Sequence, residues 1–135
     1  MENRITLAGA DHRISYNFEA VEAIQNDLNV DSLNDVYLTI SRAMSDGEQS
    51  GITTKDIANV MRVAKTVIFH GIRGACLEDD TIMPFKTPAH VGAHIKSIKE
   101  ATQQLVLFRV SLDDIFRADP DDEGNAQGRT ATPAK

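Results

Sequence analysis

Two histidines four residues apart are the side chains best spaced for chemistry in this 135-residue chain. His90 and His94 would share one face of a helix, which is the spacing that two zinc ligands need. The metalloprotease pattern HExxH fails, because Val91 stands where that pattern has its catalytic glutamate. No third histidine or cysteine is recognisably placed to complete a site. We therefore expect two histidines on a polar helix face, without a metal or a cofactor.

Two acidic runs have the composition of a cation site but not its pattern. Residues 78–80 read Glu-Asp-Asp, and residues 119–122 read Asp-Pro-Asp-Asp. A calcium loop needs alternating oxygen ligands and a distal bidentate glutamate, and neither run supplies them. We expect a solvated loop at residues 78–80 and no metal at either run.

The remaining polar residues do not form a recognisable catalytic group. Cys76, the single cysteine, has no base close to it in the sequence and is predicted to be a small buried residue. His70 precedes Gly71, and we expect it to cap a helix end rather than to act in catalysis. Without a paired acid and base, the sequence predicts that the protein is not an enzyme and has no catalytic residue.

The composition favours an acidic protein that acts by contact. The formal charge is −6, from 20 acidic and 14 basic residues, and no cluster of lysine and arginine marks a nucleic-acid binder. A single cysteine excludes an internal disulfide and fits a reducing cytoplasm. No apolar stretch is long enough to span a bilayer, and residues 1–13 lack the apolar segment of a secretory signal. We expect neither a nucleic-acid partner nor a membrane partner.

The hydrophobic pattern predicts a mainly α fold with four to five helices and a short N-terminal β-hairpin. Apolar residues alternate on both sides of a turn at residues 8–11, and the apolar face of such a hairpin must lie on helices or on another subunit. At Asn17, a candidate N-cap, the period becomes helical, and the first apolar stripe begins with Phe18. A second helix is predicted after residues 31–32, followed by a loop at residues 45–51.

The third predicted helix carries the widest apolar arc in the chain, so we expect it to be central. Its start is predicted at residues 53–56. Gly71 and Gly74 stand where a C-cap is expected, which predicts that the helix ends there.

Thr87 followed by Pro88 predicts the start of a long helix that reaches Leu112. Its apolar residues recur at steps of three and four, and this spacing fits both a helix lying on the core and a heptad seam for self-association. Apolar residues beyond that stripe suggest a contact for a partner, although they fit the core equally. The candidate partner-binding residues are Val106, Leu107, Phe108 and Val110.

The sequence loses its foldable character at Ala118. Residues 118–135 contain no aromatic side chain, and no leucine, isoleucine, valine or methionine. A segment of this composition has too little apolar surface to offset the entropy of ordering. We therefore predict a helical head domain at residues 1–117 and a disordered polar C-terminal tail at residues 118–135.

The order of these features is distinctive. The N-terminal hairpin, of the form ITLAG…HRISYNFEAVEAI, runs straight into the first helix. A second helix, a glycine-containing loop and a helix start of the form T-x-x-D-I follow; that helix ends in HGIR at residues 70–73, and another begins at Thr87. Over roughly residues 4 to 110 this layout resembles the small tail assembly chaperones of long-tailed phages (siphophages) and the related proteins of gene transfer agents.

This resemblance implies a bacteriophage tail assembly chaperone without enzymatic activity, acting in the host cell cytoplasm and absent from the mature virion. It would bind the tape measure protein, keep it soluble and promote polymerisation of the major tail tube protein around it. Independently of the resemblance, the marginal hairpin and the wide apolar stripe suggest self-association into a ring or spiral, so we expect a homo-oligomer. Members of the family commonly have a longer form made by translational frameshift, and a disordered tail from Ala118 would suit that junction.

Two alternatives remain open from the sequence. One is a structural component of the virion, such as a tail-completion or head–tail connector protein, which would be found in purified particles. The other is a small acidic regulator with no phage link. A tail tube gene upstream and a very long tape measure gene downstream would favour the chaperone.

Overall fold

The computed structural model describes residues 3–29, 34–35, 37–38 and 54–117. Two strands and four helices are described, in the order β1 (Asn3–Leu7), β2 (Ala10–Ile14), α1 (Phe18–Asp27), α2 (Thr54–Asp79), α3 (Pro88–Gly92) and α4 (Ile98–Phe116). The prediction of a mainly α fold with a short N-terminal hairpin is confirmed.

Two predicted segments lie wholly outside the described residues, namely the loop at residues 45–51 and the tail at residues 118–135. The predicted second helix is described only at residues 34–35 and 37–38, which have helical backbone. From that short stretch the ring of Tyr37 packs against the core.

The hairpin lies with its apolar face on the helices of its own chain. β1 and β2 pair antiparallel, with Leu7 opposite Ala10. The two turn residues between them, Ala8 and Gly9, have φ angles of 55° and 77°, and this left-handed pair matches the twist of a tight hairpin. The inward side chains Leu7 and Ile14 are buried, and β2 contacts α2. The hairpin therefore does not need a second subunit to cover it.

The first helix begins as predicted but buries a different stripe. Asn17 is its N-cap, with the side-chain oxygen accepting a hydrogen bond of 3.0 Å from the backbone N–H of Ala20. Ala20, Val21 and Ile24 are buried, whereas Phe18 is 75% exposed. Phe18 lies about 100° around the helix from the middle of the buried arc, so the expectation that it starts the core stripe is corrected.

The central helix is α2, as predicted, and it contacts β2, α1, α3 and α4. It does not end at Gly71 or Gly74 but continues to Asp79. The two glycines instead let other segments approach closely. A Cβ on Gly74 would lie 2.5 Å from the carbonyl oxygen of Ser15, and a Cβ on Gly71 would lie 2.6 Å from the ring of Tyr16.

The actual end of α2 uses an aspartate where a glycine is more usual. Asp80 has a φ of 57°, in the left-handed region. The N–H of Thr81 donates a 3.0 Å hydrogen bond to the carbonyl of Cys76, which is the bond that closes a Schellman motif. Aspartate tolerates this conformation better than most residues, because its short polar side chain can hydrogen-bond locally.

The predicted long helix after Thr87 is two helices. The Thr87 hydroxyl caps α3, as expected, by accepting a 3.2 Å bond from the N–H of His90. A second cap then starts α4, where the hydroxyl of Ser97 accepts a 3.3 Å bond from the N–H of Glu100. Serine followed three residues later by glutamate is a capping-box pattern, which interrupts the helix despite the regular apolar spacing.

The apolar stripe of these two helices faces the domain core. Val91, Leu105 and Phe108 are fully buried within the one chain. Of the two interpretations that the spacing allowed, packing on the core accounts for these side chains.

A buried amide joins the hairpin to α4. Gln104 is buried, and its side-chain oxygen accepts hydrogen bonds of 3.0 Å from the Tyr16 hydroxyl and 2.9 Å from the Asn3 amide. Its amide nitrogen donates 2.9 Å back to the oxygen of Asn3. Burial raises the pKa of Tyr16 well above its usual range, so the phenol keeps the proton that it donates.

The carboxylates expected in a solvated loop instead anchor the hairpin. Glu78 and Asp79 form the last turn of α2, and the guanidinium of Arg13 lies 2.8 Å and 2.9 Å from their oxygens. Glu78 also accepts hydrogen bonds from the hydroxyl of Ser15 and, at 2.8 Å, from the amide of Asn17. The bonds from Ser15, Arg13 and Asn17 together lower the pKa of Glu78 to about 2.

We expect this anchor to make stability depend on pH in the acid range. The folded state holds the pKa of Glu78 below its ordinary value of 4.5, so the stabilisation is present above that value and is lost as the pH falls toward about 2. Replacing Glu78 by glutamine should lower the free energy of unfolding by about 1 kcal/mol near neutral pH and by much less near pH 2. Urea unfolding at both pH values measures the difference, with Asp114→Asn, at an exposed carboxylate on α4, as the control. A loss of equal size at both pH values would contradict the assignment.

Candidate partner-binding surface

Three of the four candidate contact residues form an exposed apolar strip on α4. Val106, Leu107 and Val110 are 40%, 36% and 50% exposed, and we call them the α4 outer surface. Val106 and Val110 are one helical turn apart. Each stands two residues from the inward-facing Phe108, which places it about 160° away around the helix.

Phe108, the fourth candidate, belongs to the core. Its side chain is fully buried, and its ring meets the ring of Tyr16 edge-on, with 5.2 Å between the centroids. It shares a helix face with Leu105 and Leu112, which are three residues before it and four after it. The 3.6-residue period thus places Phe108 on the opposite side of α4 from Val106 and Val110. The candidate contact surface is therefore reduced to Val106, Leu107 and Val110.

Polar and charged groups surround the α4 outer surface. Gln103 and Asp113 are exposed on the same side of the helix. The guanidinium of Arg109 lies over the ring of Tyr37, 5.1 Å from its centroid, and burial raises the pKa of that phenol to about 12. An apolar centre with a polar rim is the usual anatomy of a contact surface. Three aliphatic side chains are a small anchor, suited to one face of a helix rather than to a broad interface.

The histidine pair packs on an aromatic ring. The rings of His90 and His94 are 5.7 Å apart and lie 5.1 Å and 6.2 Å from the ring of Phe85. One nitrogen of His90 also accepts a 3.3 Å bond from the N–H of Lys86. Within the described residues, no three histidine, cysteine or carboxylate side chains are grouped so that they could hold a metal ion.

His70 does not cap a helix end, because α2 continues for nine residues beyond it. Its buried ring lies 2.6 Å from the carboxylate of Asp27, at the end of α1. Arg73 donates a 3.4 Å bond to the other ring nitrogen, so the nitrogen facing Asp27 carries the proton. The contact with Asp27 therefore joins α1 to α2, and Arg73, which lies on α2 with His70, holds the ring in that orientation.

Cys76, expected to be a small buried residue, is half-buried and packs against the core. Its sulfur lies 3.9 Å from the carbonyl oxygen of Ile82. Through these contacts Cys76, on the last turns of α2, packs against the segment that follows the helix.

A second apolar surface, which the sequence did not predict, is a groove between α2, α3 and α4. Its volume is about 420 Å³, and small side chains form much of its wall, namely Ala58, Ala64, Ala89, Gly92 and Ala101. Met61 and Ile98 stand partly exposed at the groove. Its charged lining residues are Arg62, Lys65 and Lys96, and no carboxylate is among the described residues that line it.

One sequence signal marks this groove. Residues 57–77 and 81–99 contain six lysines and arginines and no aspartate or glutamate, in a chain of net charge −6. These two segments supply most of the groove lining, and three of their six cations line the groove.

In the described part of the chain, no helix is long and apolar enough to cross a membrane. Comparison with known proteins adds no relative: no protein-family model, curated protein or solved structure matches the chain. What can be inferred of its role rests on the two surfaces and on the order of motifs along the sequence.

Proposed function

We propose that this protein is a phage tail assembly chaperone that binds the tape measure protein, keeps it soluble and promotes tail tube polymerisation. The observation that carries the proposal is the α4 outer surface, which leaves three aliphatic side chains exposed on a helix whose other face is core. The hairpin that runs into a capped helix, as in the motif order described above, supports the same role.

The proposed action is binding without chemistry. A tape measure protein is long and helical, so its aggregation-prone feature is the apolar stripe of an amphipathic helix. Val106 and Val110, one turn apart, present a matching ridge to such a stripe. A single contact of this size is weak, and many copies bound along one client would gain affinity through avidity. The net charge of −6 would keep the loaded complex soluble.

The remaining parts of the proposal concern partners and place. The protein would act as a homo-oligomer in the host cell cytoplasm, hand the client to the major tail tube protein and be absent from the mature virion. A frameshift-extended form of the same chain would share the head domain and add a second domain after residue 117.

Co-expression with the candidate tape measure protein tests the proposal. A chaperone is expected to raise the soluble fraction of the client and to co-purify with it, and mass spectrometry of purified particles should not detect it. Recovery of the protein from purified particles at constant stoichiometry, with no effect on client solubility, would favour the structural tail-completion or connector role instead.

The α4 outer surface yields a direct mutational prediction. Replacing Val106 and Val110 together by serine should weaken client binding about tenfold or more, because both anchors lose their apolar contact. The free energy of unfolding should change by about 1 kcal/mol or less, since both side chains are only about half buried. Ile82→Ser is the matched control, because Ile82 is 92% exposed and lines a cleft with Arg4 and Asp11 of the hairpin, whose lining includes no residue of α4. Unchanged co-purification by the double variant would remove this surface from the proposal.

A further inference from the structure

The groove between α2, α3 and α4 fits an occupant that is apolar and acidic. Its wall of small residues lets another segment approach closely, and its volume of about 420 Å³ is in the range that buries a compact ligand, which is ample for one aromatic ring. The lining cations Lys65 and Lys96 favour carboxylates beside that ring. The stem of Lys65 runs past Gly92, 3.2 Å from where a Cβ would be, which places this cation at the groove.

The same chain presents an aromatic side chain with carboxylates next to it. Phe18, at the start of α1, is the one mostly exposed aromatic ring among the described side chains. Glu19 is its neighbour, and Glu22 lies one turn further along the same face of α1. Both glutamates are exposed. We call Phe18, Glu19 and Glu22 the α1 knob.

One copy cannot place the α1 knob in its own groove. Asn17, next to Phe18, donates a 3.1 Å hydrogen bond to the carbonyl of Gly74, which fixes the knob beside the C-terminal part of α2. Met61 and Lys65 of the groove lie nine to thirteen residues earlier on α2, or about 14–20 Å along its axis. They also lie roughly 140–180° around that helix from Gly74.

We infer that copies of this chain associate head to tail, with the α1 knob of one copy seated in the groove of the next. The Phe18 ring packs against the apolar wall of the groove, and Glu19 and Glu22 face Lys65 and Lys96. Because knob and groove are different surfaces, a pair of copies still has one free knob and one free groove, on opposite members of the pair. A contact of this heterologous kind repeats to form a closed ring or an open helical array.

This contact differs from the two that the sequence suggested for self-association. The apolar face of the hairpin is buried against α2, and the apolar stripe of α3 and α4 is buried in the core. The proposed function includes a homo-oligomer, and this inference names the two surfaces that would form it. It rests on the proposed function only in that respect. It is tested on the purified protein alone, so its failure is distinct from any failure to bind a client.

Sedimentation velocity of the full chain over a range of concentrations tests the inference. The wild-type protein is expected to form species larger than a dimer. A knob variant, Phe18→Ser, and a groove variant, Met61→Asp, should each weaken self-association about tenfold or more. Ile82→Ser and Lys86→Glu, which change an exposed isoleucine and an exposed lysine outside both surfaces, should associate like the wild type.

Mixing the two defective variants distinguishes this contact from a symmetric one. Each variant keeps one intact surface, so an equimolar mixture should form one-to-one heterodimers and stop there. Thermal unfolding of each variant, followed by circular dichroism, confirms that the head is folded. The inference is overturned by a wild-type protein that stays monomeric, by variants that associate normally, or by folded variants whose mixture forms no heterodimer.

Discussion

Replacing Phe108 by alanine is expected to lower the free energy of unfolding by about 3–5 kcal/mol, because the residual cavity cannot fully collapse. The ring is fully buried and packs edge-on against Tyr16, whose hydroxyl is hydrogen-bonded to the buried Gln104. Losses of this size approach the whole stability of a small domain. Urea unfolding followed by circular dichroism measures the effect.

The matched control for Phe108→Ala is Val110→Ala, on the same helix but half exposed. It should change the free energy of unfolding by no more than about 0.5 kcal/mol. Similar losses for both variants, or a neutral Phe108→Ala, would mean that the inward and outward faces of α4 are wrongly assigned.

Gly74→Ala is expected to destabilise the fold by about 1–3 kcal/mol, although alanine is the better helix former. The added Cβ would lie 2.5 Å from the backbone carbonyl oxygen of Ser15 and 2.9 Å from the side-chain oxygen of Asn17. A backbone oxygen cannot rotate away as the end of a flexible side chain can. Residues 15–17, which join β2 to α1, must therefore shift together with the start of α1.

Gly92→Ala is the control for that substitution, because its new Cβ would meet only the flexible stem of Lys65, at 3.2 Å. Helix propensity then dominates, and this variant should be neutral or more stable by up to about 1 kcal/mol. The two glycine variants therefore have opposite expected signs in one thermal or urea unfolding experiment. An increase in the free energy of unfolding for Gly74→Ala would contradict the close packing of residues 15–17 on α2.

Local signals in the sequence predicted the helix starts but not all of the ends. Asn17 and Thr87 are predictable as caps because their side chains act on the adjacent turn, and both caps are present. The helix end predicted at Gly71 and Gly74 is wrong, because a glycine can equally end a helix or allow close approach, and only the position of the hairpin decides which. The apolar spacing from Val91 to Leu112 likewise masked the capping box that begins at Ser97.

The candidate site was predictable only as far as helix geometry separates inward from outward residues. Val106 and Val110 could be distinguished from Phe108 by the 3.6-residue period once the core face was fixed. The anchoring role of Glu78 was not predictable, because it depends on Arg13, Ser15 and Asn17, which are more than sixty residues away in sequence. The groove is lined by residues from three helices, and their relative positions cannot be deduced from the sequence. Only the clustering of basic residues in the segments that line it is visible there.

Photo-crosslinking from α4 tests the central claim most directly. A photo-reactive amino acid placed at Val110 of the full chain, co-expressed with the tape measure protein, should give a covalent product containing both proteins. The same amino acid placed at Ile82, the exposed control position, should give little or none. A crosslink from Ile82 alone, or none from either position while wild-type protein leaves the client insoluble, would contradict the account of a chaperone that holds its client on the outer face of α4.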